Sequence, residues 1–246
     1  MTFIHILGVI LVLIIGYTVY VAYPLLHAKS VDATLVPASH AYSHIDPTLS
    51  KNILVIGDST AVGVGAPAEQ TIAALLSEDM KASVENYAVS GAVTADLAGQ
   101  AAHAQRSHYD LIEIQIGAND VIGFKSLSDA AHSLDTILTT LQKKSDHIVL
   151  LTAGDIGTSP IFKWPLSSII SSRTRELRTL FMNICAAHQV AYVDIYSKPD
   201  TIAADPARYH AADGLHLNAE GYAYWYSLIR ADIIARPDFA GLIASN

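Results

Sequence analysis

The sequence predicts an α/β domain with a five-stranded parallel sheet between layers of helices, preceded by an apolar N-terminal helix. Three observations support this fold class. From residue 51 onward, short apolar runs alternate with segments of helical spacing, and glycine-containing polar segments follow the apolar runs. A long uncharged stretch comes before them. The chain has 246 residues, so roughly 200 remain after this stretch, enough to bury the core of one domain.

The N-terminal segment has the length and composition of a membrane span. Residues 1–28 contain no Asp, Glu, Lys or Arg, and residues 3–26 are almost wholly apolar. As a helix, the apolar stretch would measure roughly 36 Å at about 1.5 Å per residue, enough to cross a bilayer core of about 30 Å. Tyr17, Tyr20 and Tyr23 lie toward its far end, as interfacial aromatic residues often do. We predict a transmembrane anchor in residues 1–28.

Two other interpretations of this segment stay open, a cleaved secretory signal and a buried core helix. A signal peptide has a basic n-region and an apolar core of about 7–15 residues. Here the n-region has no Lys or Arg and the apolar run is longer, so an uncleaved anchor is favoured. Lys29 is the only nearby basic residue, which leaves the orientation undetermined. We expect the folded domain to be extracytoplasmic, and periplasmic in a bacterium.

The remaining chain divides into a linker and one domain. Residues 29–50 are rich in Ala, Ser, His and Pro without a clear period, which predicts a linker, and residues 51–246 form the domain. The predicted strands are residues 52–56, 84–89, 111–116, 147–152 and 190–195. The predicted helices are residues 69–80, 94–104, 128–143, 167–188 and 218–235. Thr94 is the expected N-cap of the second helix.

Composition and motifs exclude several functions. The net charge of −8 argues against a nucleic-acid partner bound through a basic surface. The single cysteine excludes an intramolecular disulfide framework and a cysteine-cluster zinc site. A P-loop requires a lysine that is absent between Lys51 and Lys81. A dinucleotide fingerprint also fails, because Ala68 follows Gly63 and Gly65 where a third glycine belongs.

Polar residues after the strands supply every component of a serine hydrolase. Ligand sites of open parallel sheets lie beyond the carboxyl ends of the strands. Ser59, after the first strand, is the candidate nucleophile. Asp213 and His216 are three residues apart, so one short turn can present a base and the carboxylate that orients it. The N–H groups of Ser59 and Gly91 and the side-chain amide of Asn119 are candidate oxyanion donors.

Four segments, in order, resemble the SGNH or GDSL-type hydrolase family of esterases and lipases. They are residues 57–60 (Gly-Asp-Ser-Thr), Gly91, residues 117–120 (Gly-Ala-Asn-Asp) and residues 213–216 (Asp-Gly-Leu-His). The resemblance covers about residues 52–234. It departs from the family at Thr60, where Leu is commonest, and at Ala118, where Gly or Thr is frequent.

The resemblance implies a three-layer, flavodoxin-like SGNH-hydrolase fold with a Ser59-His216-Asp213 triad and an oxyanion hole of Ser59, Gly91 and Asn119. It also implies an acyl-enzyme mechanism without metal or cofactor. The expected function is a serine ester hydrolase acting on a small-molecule or lipid ester with a short- to medium-chain acyl, aryl or lysophospholipid-like group.

Two functional alternatives remain. One is an O-acetyl esterase of an envelope polysaccharide. The other is a catalytically idle binding module, which would be expected to lack Ser59, His216 or Asn119, whereas all three are present. The segment of residues 157–166 follows the fourth strand, and its apolar Ile161, Phe162 and Trp164 are candidates for an acyl pocket or a mouth facing the membrane. A loop folded onto its own core is the alternative for this segment.

Overall fold

The computed structural model of the protein describes residues 3–198 and 201–243. The strands are β1 (Lys51–Gly57), β2 (Ala82–Asn86), β3 (Leu111–Gln115), β4 (Ile148–Leu151) and β5 (Ala191–Val193). The helices are α1 (Phe3–Ala38), α2 (Ser59–Val62), α3 (Ile72–Met80), α4 (Leu97–Ala101), α5 (Ala118–Ile122), α6 (Leu127–Leu141), α7 (Leu166–Ala187), α8 (Thr201–Ala204), α9 (Pro206–Tyr209) and α10 (Ala219–Ala235).

The five strands form one parallel sheet in the order β2-β1-β3-β4-β5. The predicted five-stranded parallel sheet is therefore confirmed. The order runs outward in one direction from β1 to β2 and in the other from β3 to β5, so the topology reverses between β1 and β3. In open α/β sheets, a crevice at such a reversal is the usual ligand site.

Successive side chains of the central strands point to opposite faces of the sheet and belong to two separate hydrophobic cores. On β1, Leu54 and Ile56 join the core that contains buried residues of α4, α6 and α7. Their neighbours Ile53 and Val55 join the core beneath α3 and α10. The period of two follows from the strand, and apolar residues on both faces allow helices to cover both sides. The result is the three-layer fold expected from the sequence.

The N-terminal helix extends beyond the predicted anchor. The linker expected at residues 29–50 is wrong for its first part, because α1 continues to Ala38. On one face of this extension, Ala28 is buried, and the pairs Val31–Asp32 and Leu35–Val36 are half-buried. This spacing of three and four residues is that of a helix packed on one side. This packing against the domain stabilises the part of α1 that follows the apolar stretch.

The first half of α1 is exposed and apolar. Its long apolar stretch is sufficient in length and composition to cross a membrane, a property that signal sequences share. After the helix, His44 forms an antiparallel backbone bridge with Val84, with N–O distances of 3.0 and 2.7 Å. Residue 44 thus partly pairs the outer edge of β2, which a sheet otherwise leaves open.

Two predicted boundaries differ for local reasons. The strand expected at residues 84–89 is observed at Ala82–Asn86. At its end, the side-chain amide of Asn86 donates a hydrogen bond to the Ala61 carbonyl at 2.9 Å. Thr94 was expected to be an N-cap, and this is wrong. Its hydroxyl instead donates to the buried carboxylate of Asp120 at 2.8 Å, which ties the segment after β2 to α5.

Candidate active site

The segment after β1 places Ser59 in the crevice between β1 and β3. Gly57 has a φ of +151°, and a Cβ atom there would lie 2.1 Å from the carbonyl oxygen of Gln115, so a side chain would push β1 and β3 apart. Asp58 caps α2 by accepting a hydrogen bond from the N–H of Thr60 at 2.9 Å. Ser59 is the first residue of α2, so its N–H has no acceptor within that helix and can face a ligand.

Asp58 is a structural neighbour of the candidate nucleophile, Ser59. Its side chain is almost completely buried. Burial raises the pKa of its carboxyl to about 6, although the hydrogen bonds with Thr60 oppose the rise. Its oxygen is committed to the helix cap, which agrees with a role in fixing α2 and not in proton transfer to substrate.

The structure brings Ser59, His216 and Asp213 together as a hydrogen-bonded chain. The Oγ of Ser59 lies 2.9 Å from Nε2 of His216. Nδ1 of the same imidazole is hydrogen-bonded to Oδ2 of Asp213. The opposite oxygen of Asp213 accepts the backbone N–H groups of Leu215 and His216, each at 3.0 Å. These are the contacts of a nucleophile, a base and a carboxylate that orients the base.

The carboxyl of Asp213 is held in its ionised form. Burial by itself would raise its pKa, but the hydrogen bond and the charge of His216 outweigh burial, and the N–H of Leu215 adds to them. The pKa is lowered to about 2. Asp213 is therefore a carboxylate at neutral pH and can stabilise an imidazolium on His216.

Asn119 and Gly91 approach Ser59 from the ends of β3 and β2. Both line the same pocket as Ser59 and His216. Nδ2 of Asn119 donates one hydrogen bond to the carbonyl of Ala92 at 3.0 Å. An amide nitrogen carries two hydrogens, so the second is available to a bound oxygen. Gly91 has a φ of +84°, a conformation that turns the backbone sharply next to this amide.

The pocket beside the triad has mainly apolar walls. Its apolar residues come from five parts of the chain, namely α1, α5, the segments after β4 and β5, and α10 with the turn before it. They include Val36, Ile122, Ile156, Ile195, Ile202, Leu215, Leu217, Trp225 and Leu228. Polar side chains, among them Thr60, Ser90 and Thr158, also line it. This mixture suits a ligand with an apolar body and a polar reacting group.

The candidate acyl-binding residues lie elsewhere. Ile161 and Phe162 are buried in the core that contains α6 and α7, so the acyl-pocket interpretation does not describe them and the alternative of a loop folded onto the core does. Trp164 is 68% exposed, and its carbonyl accepts a hydrogen bond from the hydroxyl of Tyr17 on α1. From the same loop, the earlier residues Ile156, Thr158 and Ser159 line the pocket instead.

The sequence did not indicate that α1 contributes to the site. Asp32 and Val36, one helical turn apart, line the pocket. Oδ1 of Asp32 lies 3.6 Å from Nδ1 of His216. A signal for this contact exists in the sequence, since Ala28, Asp32 and Val36 recur at a spacing of four. Asp32 is also the first acidic residue of the chain, and it follows a long uncharged stretch.

The donor atoms near the triad do not favour a metal. The carboxylates of Asp32 and Asp213 and a ring nitrogen of His216 lie within 4.8 Å of one another. Both nitrogens of His216 already have partners, Ser59 on one side and Asp213 on the other. A metal would have to displace one of these hydrogen bonds to gain the imidazole as a ligand.

Three solved structures with the same fold carry the names of ester-cleaving enzymes. A phospholipase A1 from Streptomyces albidoflavus has a TM-score of 0.61 at 19% identity and covers 74% of this chain and 99% of its own. A lipase/acylhydrolase from Enterococcus faecalis has a TM-score of 0.56 at 23% identity, with coverages of 76% and 96%. An acetylxylan esterase from Geobacillus stearothermophilus has a TM-score of 0.57 at 17% identity, with coverages of 80% and 98%. Identities this low show a common fold and leave the substrate open.

Comparison by sequence gives the family. No curated protein matches the chain significantly. The profile of the GDSL-like lipase/acylhydrolase family matches residues 55–224, which is more than half of the chain and includes Ser59, Gly91, Asn119, Asp213 and His216. The chain therefore belongs to the GDSL-like lipase/acylhydrolase family and is a carboxylic ester hydrolase.

Proposed function

We propose that the protein hydrolyses carboxylic esters through an acyl-enzyme on Ser59. The observation that carries this proposal is the unbroken series of contacts from Ser59 to His216 to Asp213, with 2.9 Å between Oγ and Nε2. A nucleophile within hydrogen-bonding reach of a base that a third group orients is the arrangement for covalent catalysis. Family membership agrees with this chemistry.

The proposed reaction has two halves. In the first, Oγ of Ser59 attacks the ester carbonyl while Nε2 of His216 takes the hydroxyl proton, and the imidazolium then gives that proton to the leaving alcohol. In the second, water attacks the acyl group with His216 again as base. The N–H groups of Ser59 and Gly91 and the amide of Asn119 stabilise the negative oxygen in each tetrahedral intermediate.

The proposed substrate has a short- to medium-chain acyl group. Apolar side chains around Ser59, such as Ile122, Ile156 and Leu215, provide a surface for an acyl chain. The phospholipase and the lipase/acylhydrolase among the structural neighbours are named for lipid substrates, whereas the acetylxylan esterase is named for an acetylated glycan. The predominantly apolar walls favour the first class of substrate.

We further propose that α1 anchors the enzyme in a membrane, with the catalytic domain on the extracytoplasmic side. Its exposed residues before Tyr17 are almost all apolar. Near Tyr17 and Tyr20, the helix meets the loop of Lys163 and Trp164, where the Lys163 ammonium lies 5.9 Å from the ring centre of Tyr20. Aromatic and basic side chains at one level are typical of the border between lipid and water.

The test is a fluorophosphonate label combined with a substrate panel. The probe is expected to label the full-length protein and to leave the Ser59→Ala variant unlabelled. We expect p-nitrophenyl esters of short and medium acyl chains to be cleaved faster than acetylated xylan. Preference for the glycan would replace the lipid-ester assignment, and labelling of the alanine variant would exclude Ser59 as the nucleophile.

A further inference from the structure

A side chain of α7 binds the short helix that carries Asn119. Nη2 of Arg173 donates to the backbone carbonyls of Lys125 at 2.6 Å and Asp120 at 3.2 Å. Nε of the same side chain donates to the carbonyl of Val121 at 3.2 Å. One guanidinium group thus holds three carbonyls of α5 and of the turn that follows it, which its planar set of N–H donors makes possible.

The segment that Arg173 binds has little stability of its own. α5 has five residues, and so short a helix is not stable by its internal hydrogen bonds alone. In the turn after it, the N–H of Lys125 donates back to the carbonyl of Asp120 at 2.9 Å. Phe124 in this turn has a φ of +51°, which is unfavourable for a residue with a bulky side chain. The guanidinium of Arg173 lies 5.1 Å from the centre of the Phe124 ring, so a cation–π contact adds to the hydrogen bonds.

Arg173 is presented from a fixed position. Ile170 and Leu177 on the same helix, three residues before it and four after it, are 1% and 2% exposed. Both belong to the core on this side of the sheet. Arg173 itself is half-buried. Because core packing fixes α7, the hydrogen bonds of Arg173 transmit the position of α7 to α5.

α5 is also attached to the segment that follows β2. The buried carboxylate of Asp120 accepts the N–H of Thr94 at 3.0 Å and its hydroxyl at 2.8 Å. The amide of Asn119 donates to the carbonyl of Ala92 at 3.0 Å. Asn119 and Asp120 are therefore joined on one side to the segment after β2 and on the other, through Arg173, to α7.

We propose that Arg173 is a positioning residue, which fixes α5 so that the amide of Asn119 points to the substrate oxygen in the transition state. The proposal rests on the ester hydrolysis proposed above. Among the described residues, those that line the pocket do not include Arg173, so its effect on the reaction passes through Asn119. An oxyanion donor is effective only at hydrogen-bonding distance from the developing charge, so a residue that sets this distance affects kcat.

The test compares two substitutions of Arg173 in the full-length protein, with p-nitrophenyl butyrate as the substrate. Arg173→Met keeps the apolar stem but removes the donors, so kcat is expected to fall by about 10- to 100-fold with little change in KM. Arg173→Lys keeps a charged donor for part of the carbonyls, and its kcat is expected to be at least about threefold higher than that of Arg173→Met. A wild-type kcat in Arg173→Met, or equal losses in both variants, would overturn the proposal.

A matched control is Arg175→Met, the same chemical change at an exposed position of the same helix. It is expected to keep kcat at the wild-type value. A loss of kcat in Arg175→Met equal to that in Arg173→Met would show that the charge of α7 matters and the contacts of Arg173 do not, which would contradict the proposal.

A double substitution separates positioning of Asn119 from a general effect on the fold. In an Asn119→Ala background, Arg173→Met is expected to lower kcat by less than about twofold, because the group that Arg173 positions is already absent. Full additivity of the two losses would contradict the proposal. If Arg173→Met does not fold, Arg173→Gln replaces it. Its kcat is expected to fall by at least about threefold, and this loss should disappear in the Asn119→Ala background. A wild-type kcat in Arg173→Gln would overturn the proposal.

The Ser59→Ala variant shows where a failure lies. If it is inactive while Arg173→Met has the wild-type kcat, only the role of Arg173 is refuted. A fully active Ser59→Ala variant would refute the proposed ester hydrolysis itself.

Discussion

The side-chain amide of Asn119 donates to the carbonyl of Ala92 at 3.0 Å, and this bond joins the segments that follow β3 and β2. Gly91, whose N–H is a proposed oxyanion donor, is the residue immediately before Ala92. In the proposed mechanism, the side chain of Asn119 therefore makes two contacts. One hydrogen of its amide is donated to the loop that contains Gly91, and the other is available to the oxyanion.

Replacing Asn119 by alanine is expected to lower kcat by about 10²–10³-fold, roughly 3–4 kcal/mol, with little change in KM. The loss is concentrated in the transition state because only there does the substrate oxygen carry a full negative charge. Asn119→Asp should be at least as harmful, since it places a negative charge beside a developing one. Steady-state kinetics of the purified variants measure both parameters.

The control for this prediction is Asn52→Ala at the start of β1. Among the described residues, the side-chain amide of Asn52 donates to the Ser50 carbonyl alone, at 3.4 Å, so its loss should leave kcat unchanged. If Asn119→Ala instead kept kcat and only lowered the melting temperature, Asn119 would be a turn residue and the oxyanion role would be refuted.

Removing the nucleophile is expected to be more severe. Ser59→Ala should reduce kcat by about 10³–10⁶-fold with the fold intact, because substrate binding and the oxyanion donors remain. Circular dichroism and thermal unfolding verify the fold of the variant. Ser172→Ala, at an exposed position of α7 outside the pocket, serves as the control and should keep most activity. A folded Ser59→Ala enzyme with most of its activity would disprove the assignment.

The proposed catalytic residues were predictable because each belongs to a short motif, and the motifs of Ser59 and Asn119 directly follow strands β1 and β3. Ser59, Asn119 and the pair Asp213 and His216 follow segments whose local pattern determines their structure. Once parallel strands are assigned, their carboxyl ends must meet at one edge of the sheet. The approach of Ser59 to Asn119 therefore follows from local pattern and topology. Asp213 and His216 lie between α9 and α10, so only their motif predicted the hydrogen bonds that they form with Ser59 and with each other.

Asp32 and the pocket residues were not predictable in this way. Asp32 reaches His216 only because α1 packs against the domain, and that packing depends on the three-dimensional surface that α1 meets. The positions of Ile161, Phe162 and Trp164 were unpredictable for the same reason. An apolar sequence fits either a pocket wall or a core, and the choice between them depends on neighbouring helices that the segment itself does not specify.

Membrane attachment can be followed with intrinsic fluorescence because the chain has two tryptophans. Trp225 is 7% exposed and Trp164 is 68% exposed near the aromatic residues of α1. In full-length protein reconstituted into vesicles, brominated lipids are expected to quench a Trp225→Phe variant, in which Trp164 alone emits. They should barely affect a Trp164→Phe variant. The native protein should also sediment with membranes and resist high-salt extraction, because apolar burial holds it.

A mature N-terminus near Thr34 in the native protein would contradict the anchor, since cleavage there would remove residues 1–33. If the Trp225→Phe variant sediments with membranes but is not quenched, the anchor prediction would stand. The loop of Trp164 would then lie away from the lipid surface.

The last prediction concerns Glu113, a fully buried carboxyl group in the middle of β3. Within the described part of the chain, neither of its carboxyl oxygens has a hydrogen-bond partner. Burial, with a smaller contribution from the charge of Asp58, raises its pKa to about 8, from an ordinary value of 4.5. The folded state thus binds a proton that the unfolded state releases between these pH values. The stability associated with protonated Glu113 is complete below pH 4.5 and is lost as the pH rises toward 8.

The substitution Glu113→Gln removes this titration and keeps the shape of the side chain. The melting temperature of the variant relative to the wild type is therefore expected to increase with pH, by on the order of 5–10 °C between pH 4.5 and 8.5. Differential scanning calorimetry of both proteins across this range measures the difference, in which the titration of all other groups cancels. Glu176→Gln, at an exposed position on α7, is the control and should give a difference that barely varies above pH 5. The melting-temperature difference between Glu113→Gln and the wild type could also stay constant from pH 4.5 to 8.5. That result would show that Glu113 titrates normally and is not held neutral by the core of this sheet.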